Sequence, residues 1–181
     1  MGESKLSALL IFVIANYFLT FLIIGLAAGA ISLISKPKPL RADVVAEAFF
    51  SYYLLFTIGI NNLVNFVFHV FVGDTAAKFI GWEQSPFQAE VGFASLGVGI
   101  AGVIAFKASL PFRFATIIPP SAFSWGAAAG HIYQMIVAHN FSPGNVGVVL
   151  PMGILIPIVG CLFLWLSYKH PKPGTSERKL T

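Results

Sequence analysis

Residues 6–34 read LSALLIFVIANYFLTFLIIGLAAGAISLI, a run of 29 residues without a charge, a histidine or a proline. A helix that crosses a bilayer needs about 20 mostly apolar residues, so this run predicts a transmembrane span near the start of the chain. Because the run is longer than a bilayer requires, we expect the helix to tilt or to project from the membrane.

The apolar character extends over the whole chain of 181 residues. Apolar residues make up 57% and charged residues 10%, whereas a typical soluble domain has about 25% charged residues. This composition excludes a soluble enzyme and a disordered chain, and the single cysteine, Cys161, excludes a disulfide scaffold. A surplus of four positive charges is too small to indicate nucleic acid. The expected partner is therefore the lipid bilayer, with a homo-oligomer or a larger complex left open.

Four further apolar segments follow the first one. They cover residues 48–72, 87–106, 114–138 and 146–168. Together with residues 6–34 they predict an all-α transmembrane bundle of five spans, which forms one domain over residues 1–168. Residues 169–181 are polar and basic and predict a disordered cytoplasmic tail.

The basic residues sort to one side of this five-span arrangement. The loops 35–47 and 107–113 share a side with the tail, and nine of the eleven Lys and Arg residues fall there. The opposite side holds only Lys5 and Lys78. Cytoplasmic loops carry the excess of basic residues, so the pattern predicts a multi-pass protein of the inner (cytoplasmic) membrane with its N-terminus outside and its C-terminus inside.

The segment between the second and third spans carries turn signals. Gly81 suits the position just after a short helix that ends at Ile80. The stretch Ser85 to Gln88 reads as a capping box with a proline at the first helical position. We therefore expect an ordered turn at the outer surface.

Small residues predict how the helices pack. In the third span they fall on two opposite faces, which predicts a helix sandwiched between two neighbours. One face has Gly92, Ser95, Gly99 and Gly102, and the other has Ala94, Gly97, Ala101 and Ala105. In the fourth span, Gly126 and Gly130 form a small-x-x-x-small motif that predicts close helix packing.

Polar side chains inside a bilayer are costly and often functional, and here they converge at one depth. His69 lies near the outer end of the second span, Glu90 lies in the first turn of the third, and His131 lies two turns from the outer end of the fourth. The predicted ligand-binding residues are these three with Gln134 of the fourth span, Asn65 of the second span, and His139 and Asn145 of the following loop.

Each of these residues also has a structural interpretation. Glu90 complements the helix dipole at a helix start, and the asparagines of the second span hold neighbouring helices together. Three functions stay open for the cluster. It binds or transports a small hydrophobic or amphipathic ligand or a proton-coupled substrate, or it catalyses acid–base chemistry on a lipophilic substrate with Glu90 paired to His131. In the third alternative the protein is an accessory subunit, and the polar residues only hold its helices together.

The sequence assigns no cofactor. Histidines together with a glutamate suit zinc or iron. However, no span carries a His-x-x-x-His or Glu-x-x-His pair. We therefore expect no metal at this site.

Three stretches carry a resemblance to a known family. They are IGWEQSPFQAEVG at 80–92, GHIYQM at 130–135 and HNFSPGN at 139–145. With residues 65–71, they resemble an uncharacterised prokaryotic family of small multi-span membrane proteins, over spans two to five. The resemblance implies that the first span is an addition to a four-helix unit and that Glu90, His131 and Asn145 matter. It implies no reaction.

A more distant similarity concerns the join between the second and third spans. A helix that ends in His-x-Phe, here His69 to Phe71, followed by a helix that opens with a glutamate, is similar to DoxX-type membrane proteins. Those are four-helix proteins sometimes linked to quinone or thiol redox partners. This similarity implies an accessory role in a membrane complex.

Overall fold

The computed structural model describes residues 4–172, and over that range the chain is helical without strands. The helices, in chain order, are α1 (Lys5–Ala15), α2 (Tyr17–Ser32), α3 (Ala42–Phe71), α4 (Gly73–Ile80), α5 (Phe87–Ala105), α6 (Leu110–Val137), α7 (Pro143–Val146) and α8 (Val149–Lys169). Within α3, residues Tyr53–Ile60 are π-helical. The greater part of the predicted tail, residues 173–181, lies outside the described residues.

Within residues 4–172, three segments are long and apolar enough to cross a membrane. They are α3, α5 and the segment Pro143–Lys169, and the bent pair of α1 and α2 adds a fourth if the two helices form one span. Helix α6 has 28 residues but is less apolar, because prolines, serines and a histidine interrupt it. The prediction of an all-α membrane protein is therefore supported at the level of three or four candidate spans.

The first predicted span is not one continuous helix. A bend of 90° separates α1 from α2 at Asn16. The Asn16 side chain donates from Nδ2 to the Phe12 carbonyl at 2.8 Å, and the Thr20 hydroxyl donates to the Val13 carbonyl at 3.1 Å. The Phe12 carbonyl also accepts from the Asn16 backbone N–H at 3.0 Å, and the Thr20 bond joins the start of α2 to the last turn of α1, so both side-chain bonds lie at the bend. The expectation of one continuous helix over residues 6–34 is therefore wrong.

Helix α3 lies at the centre of the bundle. Phe50, Tyr53 and Leu54 are almost completely buried, and the Tyr53 hydroxyl donates to the Ile156 carbonyl of α8 at 2.8 Å. A Cβ atom added at Gly102 would lie 2.5 Å from the Gly59 nitrogen, so α3 and α5 cross with their backbones in contact. Helix α3 therefore contacts α5 on one side and α8 on another.

Only one of the two predicted small-residue faces of α5 is packed along its whole length. Gly92, Ser95, Gly99 and Gly102 are buried against α3, as expected. On the opposite face Ala94 and Gly97 are exposed, Ala101 is half-buried and Ala105 is buried, so α5 is enclosed on both faces only at its C-terminal end. Gly126 and Gly130 of α6 also have open space where a Cβ would lie. The predicted close packing at Gly126 and Gly130 is therefore wrong for this chain.

The turn between α4 and α5 is ordered, in part as expected. Gly81 follows α4 with a φ of 76°, and its N–H donates to the Ala77 carbonyl at 2.8 Å. The capping box is absent from this turn. Gln88 donates instead to the Gly73 carbonyl at 3.3 Å, because α4 folds back over the start of α5.

Candidate functional site

The centre of the candidate site is the pair of His131 on α6 and Asn145 on α7. His131 Nδ1 lies 2.8 Å from Asn145 Oδ1. Asn145 Nδ2 donates to the His131 carbonyl at 3.1 Å and to the Asn140 carbonyl at 2.9 Å. Asn145 is completely buried. Its amide therefore fixes both the imidazole and the loop that joins α6 to α7.

This network determines which nitrogen of His131 carries the proton. The Asn145 amide cannot be turned over, because its oxygen would then face two carbonyl oxygens. Its oxygen must therefore accept from His131, so Nδ1 carries the hydrogen. In the neutral imidazole, Nε2 then has a lone pair and can act as a base or accept a hydrogen bond.

An indole ring lies beside this imidazole. The ring centroids of Trp82 and His131 are 5.2 Å apart, with their planes inclined by 32°. His131 is half-buried and Trp82 is 42% exposed. The site therefore lies at the surface of the bundle and combines a nitrogen base with an aromatic wall.

The loop before α7 is held against the loop after α4. Asn140 Nδ2 donates to the Ile80 carbonyl at 3.0 Å and to the Gly81 carbonyl at 3.2 Å. A Cβ added at Gly144 would lie 2.6 Å from the Phe79 ring, so only glycine fits there. These contacts position Trp82 beside His131, although the two residues are far apart in the sequence.

His69 and Glu90 lie on different surfaces of the helix pair. His69 packs against Gly92 of α5, and its Nδ1 is buried without a hydrogen-bond partner among residues 4–172. Glu90 is two residues from Gly92, which turns it about 200° away around the helix axis. It is exposed. The two side chains therefore do not form one cluster.

The two remaining residues of the α6 end have separate surroundings. His139 is exposed and has a φ of 50°, in the left-handed region. Gln134 is half-buried, and its carbonyl accepts from the backbone N–H groups of Ala138 and Asn140. The close contacts of the described site thus belong to His131, Asn145, Asn140 and Trp82.

Asn65 is engaged between helices. Its Nδ2 donates to the Ser95 hydroxyl of α5 at 2.7 Å, and its Oδ1 accepts from the Tyr17 hydroxyl of α2. Asn65 is 5% exposed. These contacts match the interpretation of the asparagines as residues that hold helices together, since both ends of the amide are occupied by the protein.

A charged cluster that the sequence does not single out lies at the opposite end of the bundle. Arg113, which is 3% exposed, contacts Glu47 through Nη1 at 2.8 Å and through Nη2 at 3.0 Å. It also donates to the Ala105 carbonyl at 2.9 Å and the Phe106 carbonyl at 2.7 Å. Arg113 thus joins α3, the end of α5 and the start of α6. In the sequence, Glu47 and Arg113 each stand directly before a predicted span, and this was the one feature that could have indicated their pairing.

The described residues contain no group of three or more His, Cys, Asp and Glu side chains with the geometry to hold a metal ion. Among residues 4–172, the side chains that contact His131 are the Asn145 amide and the Trp82 indole, and neither is a histidine. Such a set provides a single nitrogen donor.

Comparison with known proteins gives one family. No curated protein and no solved structure matches the chain. The match to the family model covers residues 15–173, so it contains α2 and leaves out α1. Residues 15–34 of the predicted first span therefore belong to the family unit, and the expectation that the whole span is an addition to it is wrong. Over residues 15–173 the chain belongs to a family of unknown function, DUF6790.

Proposed function

We propose that this chain is a multi-pass protein of the inner membrane with five spans, its N-terminus outside and its C-terminus in the cytoplasm. The sorting of nine basic residues to one side supports this orientation. The 28 residues of α6 extend about 42 Å, more than the hydrocarbon core of a bilayer. If α2 crosses the membrane, the bend of 90° places α1 along the membrane plane.

A reporter fused after Thr181 tests this orientation. We expect the activity of a cytoplasmic reporter. A periplasmic signal would contradict the orientation and would move the His131 site to the cytoplasmic face.

In this orientation the protein binds a small amphipathic ligand at its outer face. The observation that carries this proposal is the contact of His131 Nδ1 with Asn145 Oδ1, which leaves Nε2 available next to the Trp82 ring. In the neutral imidazole, Nε2 accepts a proton from an acid or a hydrogen bond from a hydroxyl group. The exposed indole provides an apolar surface for the rest of the ligand. Proton transfer to Nε2 would couple binding to protonation.

The membrane enzyme is the weaker alternative. It requires Glu90 to act with His131 on a lipophilic substrate, whereas Glu90 is exposed on the face of α5 that points away from α3. An accessory subunit, as the distant DoxX-type similarity implies, predicts a stoichiometric partner on purification. The accessory role and the ligand-binding role can be distinguished by replacing His131, because only ligand binding requires its Nε2.

Trp82 provides a reporter for ligand binding. In a variant with Trp125→Phe and Trp165→Phe, Trp82 is the one remaining tryptophan, because the chain has three. We would add decanoic acid to this protein in lipid nanodiscs and record the indole emission. Methyl decanoate, which has a similar chain without the acidic proton, serves as the control ligand. We expect a saturable change with the acid and none with the ester.

Two histidine variants complete the experiment. His131→Phe keeps an aromatic ring but removes Nε2, so the response to decanoic acid should disappear. His139→Asn is the matched control, because asparagine tolerates the left-handed backbone of that exposed position. Equal responses of the wild type and His131→Phe, or no response from the wild type, would refute binding of acidic amphipaths at His131.

A further inference from the structure

Asn61 brings an unsatisfied polar atom into the interior of the bundle. The residue is 2% exposed, and its Oδ1 has no hydrogen-bond partner among residues 4–172. The last 11 residues of α3 begin at Asn61, which therefore lies about 15 Å from the end of the helix. A polar atom at that depth of a membrane-spanning helix must be satisfied inside the protein, because hydrocarbon offers no hydrogen bonds.

The neighbours of Asn61 on the same face of α3 show which helix this face contacts. Thr57, about one turn before it, donates from its hydroxyl to the Phe21 carbonyl of α2 at 3.4 Å. Asn65, one turn after it, accepts from the Tyr17 hydroxyl of α2. Tyr17 and Phe21 are themselves about one turn apart on α2. Asn61 therefore lies on the face of α3 that packs against α2.

Thr57 also has unused capacity to accept a hydrogen bond. It is 1% exposed, and its single hydroxyl hydrogen is directed at the Phe21 carbonyl over a long distance. The hydroxyl oxygen keeps its lone pairs, as Asn61 Oδ1 does. Asn65 differs, because both ends of its amide are already bonded within the protein. Thr57 and Asn61 therefore present two buried acceptors on one helix face.

These two oxygens lie where α3 changes from π-helix to α-helix. The π-helical segment Tyr53–Ile60 ends directly before Asn61, whose N–H bonds to the Phe56 carbonyl five residues earlier. Side chains four residues apart on a helix have Cβ atoms about 5–6 Å apart. Two hydrogen bonds of about 2.8 Å through one water oxygen span about 5 Å. One water molecule therefore matches the spacing of the two side chains.

We propose that one internal water molecule binds at the contact between α2 and α3, and that it donates one hydrogen to Asn61 Oδ1 and the other to Thr57 Oγ1. Its two hydrogens match the two buried acceptors. Buried waters in proteins bond to polar groups that would otherwise be unsatisfied. The bridge spans the last π-helical turn of α3 and is independent of the His131 site and of the orientation in the membrane.

Burial and charge argue against other occupants. Both side chains are shielded from the surface, so a lipid or a second copy of the chain cannot reach them. A monovalent cation would also bind to oxygens. However, the acidic residues of α3, Asp43 and Glu47, lie in its first two turns and are paired with arginines. A cation without a compensating charge is costly in apolar surroundings, whereas water is neutral.

Solid-state NMR of the full chain in proteoliposomes tests the proposal with water itself as the probe. Magnetisation is transferred from water protons to the isotope-labelled protein. We expect transfer to the Asn61 side-chain amide and none to the backbone N–H of Leu54, which is 0% exposed on the same helix. Absence of transfer at Asn61 would overturn the proposal.

A double-mutant cycle tests whether the water joins the two residues. Asn61→Leu and Thr57→Val each keep the number of side-chain heavy atoms and remove one partner of the water. Since either change releases the shared water, the two effects should be coupled by about fivefold in the unfolding equilibrium constant. Additive effects would overturn the bridge. So would higher stability of Asn61→Leu, because that result is expected when a buried amide has no partner to lose.

Two controls complete the cycle. Asn61→Leu combined with Thr116→Val should be additive, because Thr116 is equally buried but bonds to the Phe112 carbonyl of its own helix, α6. Replacement of sodium and potassium chloride by choline chloride at constant ionic strength should leave the unfolding of the wild type unchanged. Stabilisation by sodium or potassium that is lost in Asn61→Leu would overturn the proposal, since a cation would then occupy the site.

Discussion

Arg113 Nη1 lies 2.8 Å from Glu47 Oε2, and the two residues are 66 positions apart in the sequence. A second bond, from Nη2 to Glu47 Oε1 at 3.0 Å, makes the contact bidentate. The same guanidinium donates to the Ala105 and Phe106 carbonyls at the end of α5, where a helix has no further turn to pair all of its carbonyl groups. One side chain therefore provides charge pairing and helix capping at once.

Removal of this arginine should strongly destabilise the bundle. Arg113→Met leaves Glu47 with fewer partners and removes the side-chain donor of the Ala105 and Phe106 carbonyls, and we expect a loss of about 3 kcal/mol in the free energy of unfolding. Denaturant titration of the detergent-solubilised protein measures it. Arg41→Met is the matched control, because that arginine is 67% exposed and solvent screens its ion pair with Asp43, so we expect a much smaller loss. Similar losses for both variants would contradict a special role of Arg113.

The tautomer of His131 should depend on Asn145. In the wild type, ¹⁵N NMR of labelled histidine should show the hydrogen on Nδ1 of the neutral ring. Asn145→Ala removes the acceptor and should shift the population toward hydrogen on Nε2, which is the commoner site in free imidazole side chains. Asn62→Ala is the control, since Asn62 bonds only to the Ile58 carbonyl of its own helix in the described structure. An unchanged tautomer in Asn145→Ala would refute the assignment.

Hydrophobic length predicts the existence of the long helices but not their rotation. Depth along the chain places His69, Glu90 and His131 in one layer, and the structure turns Glu90 about 200° from the face of α5 that contacts His69. Depth is a property of one segment, whereas rotation depends on which neighbour buries the helix. Gly92 packs on α3, and this contact determines where Glu90 points.

Long-range polar contacts are equally hard to predict from local patterns. Arg113 and Glu47 each lie near the end of a predicted span, where a charge is ordinary. Their pairing requires α3 and α6 to meet at that end, and spacing within one helix contains no such information. Asn16 is similar, because one asparagine in an apolar run is a weak signal for a bend.

Glycines at the α3–α5 crossing should tolerate no side chain. Gly102→Ala would place a Cβ 2.5 Å from the Gly59 nitrogen, so the helices must separate, and we expect a loss of about 2 kcal/mol or more. Gly97→Ala, on the open face of α5, should be neutral or stabilise by up to about 1 kcal/mol, since alanine favours helix. Denaturant titration compares the two variants. Equal effects would mean that α5 packs through another face.

The bend at Asn16 predicts the distance between α1 and α2 positions, which electron paramagnetic resonance of paired spin labels can measure. With Cys161 replaced by serine, spin labels at the exposed positions Leu6 and Ile31 report on the angle between α1 and α2. A rise of 1.5 Å per residue and a bend of 90° give a backbone separation of about 27 Å, whereas a continuous helix gives about 38 Å.

Replacement of the residues that hold the bend should change this distance. Asn16→Leu with Thr20→Ala removes the side-chain bonds to the Phe12 and Val13 carbonyls at the bend, and leucine and alanine both favour a continuous helix. We expect the distribution to shift toward the longer separation. Ser32→Ala removes the Ser32 side-chain bond to the Gly29 carbonyl, far from the bend, and should leave the distance unchanged. A wild-type separation near 38 Å would show that α1 and α2 form one span in the membrane.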